Sequence, residues 1–204
     1  VRQVVADGAG AQTLDPALDE TVGAITIEDG SLELADTASG RLWTANGIAA
    51  EIAWPRLSQG LKATALFDVA GLGLKLDLSA PQPLLLFGGR DAAMDATVDA
   101  AAFSARFDGI ANLAGGLIRA GALSLGVKDV AALKAWTGLR LAGIDTLKQA
   151  QLSANIERAG DELRLDDLEF DINDTHGTGI LSLSHAQQSK PRVSGTLAFD
   201  RLNI

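Results

Sequence analysis

The side chains whose types could do chemistry in this chain are a histidine and the carboxylates around it. His176 lies in the run Asp174-Thr175-His176-Gly177-Thr178-Gly179, with Asp171 five residues earlier. An imidazole beside carboxylates can serve as a general base or hold a metal ion. The stretch Asn173–Gly177 has the composition of a hairpin turn, where Asp, Asn and Gly are chosen for backbone reasons, so the expectation for His176 is a turn residue. His185, next to Ser184 and the polar run Gln187-Gln188-Ser189-Lys190, reads as an exposed loop residue. The acids Asp161, Glu162, Asp166, Asp167, Glu169, Asp171 and Asp174 could supply oxygen ligands to Ca²⁺, and Glu169 and Asp171 share a strand face. They alternate with Leu168, Phe170 and Ile172, as the solvated face of an ordinary strand does. No G-x-S-x-G elbow, P-loop or H-E-x-x-H is present, and Gly71-Leu72-Gly73 lacks the third glycine of a dinucleotide fingerprint. Carboxylate pairs of the glycosidase kind lack the aromatic platforms of sugar sites, since aromatics are 4% and Tyr is absent. The expectation is a protein that is not an enzyme, with no catalytic residue, metal or cofactor.

Composition narrows the partners. The 204 residues contain no Cys, which removes disulfides, thiol nucleophiles and thiolate metal sites. With 17 basic and 26 acidic side chains the net charge is −9, and no Lys/Arg run exists to contact phosphates, so nucleic acid is not an expected partner. No apolar run approaches the roughly 20 residues that cross a bilayer as a helix. The chain is 47% hydrophobic with a mean hydropathy of +0.17, enough apolar side chain for a sizeable core. Ala (35) and Leu (31) dominate, with 22 Gly. The start, Val1-Arg2-Gln3, has neither an initiator Met nor a secretory signal, and Val193–Ile204 reads as a strand in progress, so a section of a longer protein is expected.

The elements that must position any site are strands. Period-2 alternation recurs along the whole chain. Ile25 and Ile27 share a face, Asp29-Gly30 suits a tight turn, and Leu32 and Leu34 follow; Thr37–Gly40 reads as the next turn. Ile48, Ala50, Ile52 and Trp54 form a row that Pro55 is expected to end. The pattern is clearest in Leu72–Leu78, four leucines opposed by Gly73, Lys75 and Asp77, and it continues to Leu197 and Phe199. In Leu163–Ile172 the apolar parity switches from Leu163 and Leu165 to Leu168, Phe170 and Ile172, which predicts a β-bulge near Asp166-Asp167. Val130, Leu133, Trp136 and Thr137 carry helical spacing and predict one short α-helix near 128–138, while Pro83–Phe87 suits either a helical turn or an apolar loop. The fold class expected is mainly β: ten to twelve strands in a long twisted antiparallel meander curled around an apolar groove, or a two-layer β-sandwich. Residues 1–21 are expected to be a lead-in and 22–204 the β-rich domain.

The order of these segments resembles the periplasmic β-rich region of the AsmA family, which includes TamB-like proteins. Ile25–Gly40 looks like that family's strand, turn, strand and D-x-x-S-G turn, followed by a strand reaching Trp54-Pro55 and by the Ala65–Leu78 segment. Phe107-Asp108-Gly109 and Ala131–Gly138 resemble its F-D-G strand and L-x-x-W-x-G element. Leu163–Leu168, Gly177–Leu183 and Pro191–Leu197 are similar to its repeated hairpins, although Lys190-Pro191-Arg192 reverses the usual Arg-Pro order. The resemblance implies a periplasmic module of a Gram-negative envelope protein, attached to the inner membrane through an N-terminal anchor outside this chain. It also implies a role in outer-membrane biogenesis, with phospholipid acyl chains as cargo and envelope proteins as possible partners. The groove residues expected are Leu72, Leu74, Leu76, Leu78, Phe103, Phe107, Leu123, Leu125, Leu181, Leu183, Leu197 and Phe199. The alternative is a structural or protein-interaction β-domain with a closed core.

Overall fold

A computed structural model describes residues 19–36, 41–114, 117–137, 147–173, 175–184 and 192–200. The alternating segments become eleven strands: β1 (Thr21–Asp36), β2 (Arg41–Arg56), β3 (Leu61–Val69), β4 (Leu72–Ala80), β5 (Ala92–Ala100), β6 (Phe103–Asn112), β7 (Leu117–Val127), β8 (Ala150–Ala159), β9 (Glu162–Ile172), β10 (Thr175–Ser184) and β11 (Arg192–Phe199). Helix α1 (Pro83–Phe87) joins β4 to β5, and α2 (Val130–Thr137) lies between β7 and β8. All strands belong to one sheet in chain order, each antiparallel to its neighbour in sequence. The sheet is not closed, and it is one sheet rather than the two layers of a sandwich.

Turn chemistry sets the register. β3 and β4 are joined by Ala70 and Gly71, at φ 53° and 83°, the pair of left-handed residues that a two-residue hairpin favours. The Asp68 carboxylate accepts a hydrogen bond from the Gly71 amide at 2.7 Å. Gly160, at φ 61°, leads the two-residue turn from β8 to β9. The predicted bulge is present. Asp167 takes φ 50°, and β9 advances three positions from 165 to 168 where β10 advances two, so both Leu165 and Leu168 face the same side.

Two expectations are corrected. Asp29-Gly30 does not turn the chain: Asp29, at φ 52°, makes a bulge inside the continuous β1, with register shifts on either side of Gly30. Pro55 does not end β2, because Arg56 still pairs with Thr21. The 128–138 helix forms as α2, and Pro83–Phe87 forms as the helix α1. The turn at 37–40 and the lead-in at 1–18 lie outside the described residues.

Candidate functional site: the apolar face

Residues paired across antiparallel strands project to the same side of a sheet. One rung runs Ile52, Ala63, Leu78, Ala96, Phe107, Leu123 and Ala154 from β2 to β8. An adjacent rung, projecting oppositely, runs Glu51, Thr64, Asp77, Thr97, Arg106, Ser124, Ser153, Glu169 and Thr178. The sheet therefore has one apolar and one polar side. On β3 to β7 every described position on the apolar side is an aliphatic or aromatic residue, Met or Gly.

The register places all twelve sequence-predicted groove residues on this side. Leu72, Leu74, Leu76 and Leu78 stand along β4, Phe103 and Phe107 on β6, Leu123 and Leu125 on β7. Leu181 and Leu183 stand on β10, Leu197 and Phe199 on β11. They are not equally covered. Leu74 and Phe107 are buried, whereas Leu125, Leu183, Leu197 and Phe199 are about two-fifths exposed. Sequence reasoning left out the most enclosed part: Leu86, Met94, Ile156, Leu165, Leu168 and Phe170 are buried in one cluster with Phe107. The parity switch in β9 could have found Leu168 and Phe170, since the bulge returns them to the face of Leu165.

Burial of this depth requires curvature. Leu168 is 2% exposed and Ile156 3%, yet among the described residues no second sheet covers them. In a flat single layer the outer surfaces of these side chains would be wet; a sheet curled toward its apolar side lets neighbours close over one another. Small residues permit the curl. Gly177 pairs with Phe170 on one side and Phe199 on the other, and the two rings meet edge-on above it with centroids 5.5 Å apart. A Cβ at Gly177 would overlap the Phe170 ring.

Each helix covers one rim of the central strands. Leu86 of α1 packs into the core cluster beside Ala80, Ala92 and Ala111, and Phe87 meets the Trp54 ring of β2 at 5.8 Å. At the other end of the strands, Lys128 and Asp129 donate to the Ala102 carbonyl, and the Asp129 carboxylate accepts from the Ala132 amide at 2.9 Å. Trp136 then stacks on Phe103 at 5.5 Å, and its indole N–H donates to the Val69 carbonyl at 2.7 Å. Thus α2 straps β6 to the end of β3.

The polar side carries exposed ion pairs. Lys75 and Asp77 are 2.9 Å apart; their hydrogen bond raises the lysine pKa and, with the Thr64 hydroxyl, lowers that of the carboxyl. His176 belongs to β10 rather than to the turn expected for it, because Thr175 already pairs with Ile172 and His176 pairs in register with Asp171. Its Nδ1 is 3.0 Å from Asp171 Oδ1, and that hydrogen bond raises the histidine pKa. Of the other acids, Asp166 engages Arg164 and Asp167 accepts from Asn155. Among the described residues no group of three His, Asp or Glu side chains gathers as metal ligands. His185 and Asp174 lie outside the described residues.

Comparison with protein-family models, curated proteins and solved structures finds no match. The functional reading therefore rests on the face itself. Among the described residues no polar or charged side chain is buried, so the face offers apolar surface and no buried side-chain hydrogen bond for telling one ligand from another.

Proposed function

We propose that this chain is a non-enzymatic module that shelters phospholipid acyl chains in its curled apolar face, in the manner of the AsmA family that its segment order resembles. The observation that carries the reading is the apolar side running unbroken through the rungs of β3 to β7 in a sheet that does not close. Hydrocarbon leaves water at about 25 cal/mol per Å², without need of directional contacts. In this reading the module sits in the periplasm, anchored to the inner membrane by a segment outside this chain, and serves phospholipid movement toward the outer membrane.

The test is lipid binding. Mass spectrometry of the purified protein should detect copurifying phospholipid, and a fluorescent fatty acid should bind. Leu125→Lys with Leu183→Lys, at partly exposed positions on the face, should weaken that probe about tenfold, the cost of placing charge against hydrocarbon, with little change in thermal stability. Lipid-free protein that binds no acyl probe would overturn the reading. A second reading, a protein-interaction domain, is favoured by the outer strands β1 and β11, each of which pairs with one neighbour among the described residues.

A further inference from the structure

Helix α2 reaches across more of the sheet than its eight residues suggest. Trp136 stacks on Phe103, at the start of β6, with ring centroids 5.5 Å apart, and its indole N–H donates to the Val69 carbonyl, at the end of β3, at 2.7 Å. These strands are not neighbours, since β4 and β5 lie between them. At the usual strand spacing a flat sheet would hold β3 and β6 about 14 Å apart, beyond the reach of one indole with those two contacts. The sheet between them is therefore bent toward Trp136. Phe103 and Phe107 share a side of β6, so the indole lies over the apolar face. Leu74 of β4 pairs with Ala100 of β5 at this rim, on the same face, between the two strands that Trp136 joins. They are 8% and 9% exposed although neither belongs to the main core cluster, as expected of residues beneath a cover.

We propose that α2 is a latch on the groove: Trp136 clasps β3 to β6, sets the width of the apolar face at this rim, and lets go when an acyl chain enters or leaves there. Its part in setting the width follows from geometry alone, whereas its part in passage rests on the acyl-chain reading above. The helix has a pivot as well as a clasp. Lys128 and Asp129 donate to the Ala102 carbonyl, the Asp129 carboxylate caps the first turn through the Ala132 amide, and Val130 is buried there. The start of α2 therefore stays docked while its far end swings. The clasp is one ring stack and one hydrogen bond, each of modest strength. Opening it wets Leu74 and Ala100, which drives the empty groove to reclose. An acyl chain laid on those residues removes that cost and favours the open arrangement, so the ligand itself biases the latch.

The chain has no cysteine, so spin labels can be attached at Ala70→Cys and Ala101→Cys, exposed positions in the β3–β4 and β5–β6 turns at this rim. Double electron–electron resonance on the full chain should give one narrow distance. Trp136→Ala should lengthen and broaden it, and Trp136→Phe, which keeps the ring and loses the N–H, should fall between. In stopped-flow mixing with a fluorescent fatty acid, association and dissociation should both quicken, about fivefold in Trp136→Phe and about thirtyfold in Trp136→Ala, as expected for losing the hydrogen bond alone or with the stack. A barrier crossed in both directions leaves Kd unchanged, whereas simple loss of lining would speed dissociation without speeding association. An unchanged label distance in both variants would overturn the latch, and a longer distance with unchanged rates would overturn its part in passage. Absence of probe binding in all three proteins would overturn the acyl-chain reading, with the label distance still deciding the latch.

Discussion

Ala70 is an L-residue in a position built for glycine or asparagine. Its φ of 53° brings its Cβ against backbone, a cost of about 1 kcal/mol that Asn offsets with local hydrogen bonds. Ala70→Asn should raise stability by about 0.5–1 kcal/mol in urea denaturation, with an unchanged slope. His176 carries the clearest pH dependence. Asp171 raises its folded-state pKa above the ordinary value of about 6.5. The stabilisation is therefore complete below that value and fades as pH rises through the raised one. NMR titration should place the His176 midpoint above 6.5, and His176→Gln should remove part of the fall in melting temperature between mildly acidic and mildly basic pH. The partnership was half legible in the sequence: Asp171 could be seen nearby, but a two-residue turn and a four-residue turn place His176 differently, and only the register decides between them.

Among the elements, α2 owes more to its far end than to its own propensity. An eight-residue helix is too short to persist alone in water, and Trp136 ties it to Phe103 and to the Val69 carbonyl. Trp136→Phe keeps a ring on Phe103 and should cost about 1 kcal/mol, the net worth of the lost hydrogen bond; Trp136→Ala should cost more and lower the helix signal in circular dichroism. The helix was readable from the spacing of Val130, Leu133 and Trp136, whereas an anchor 67 residues back in the chain leaves no local trace. The bulge at Asp167 was readable because it shifts parity within an apolar row. The one at Asp29 was not, since Asp-Gly serves equally as a hairpin turn or as a kink within a strand, and the long pairing of β1 with β2 selects the kink.

At the scale of the molecule, the sheet type was legible because alternation is a local pattern repeated from strand to strand. What it could not say was how far each strand's apolar side would be covered, because burial here comes from curl and from which small residues face which large ones. Coverage is graded: β9 buries Leu165, Leu168 and Phe170, while β11 is exposed throughout. Amide hydrogen exchange should follow that gradient, fastest in β1 and β11 and slowest in β6, β8 and β9; uniform protection across the sheet would contradict it. The strand order has a further consequence, for how the protein is made. Each strand pairs only with its neighbours in sequence, so no strand must await a distant segment before it can pair. Such a chain has low contact order and gains stability by nearest-neighbour increments, as repeat proteins do. It can zip up in the order in which its strands are released, from a ribosome or from a translocation pore, each new hairpin laid on a template already in place.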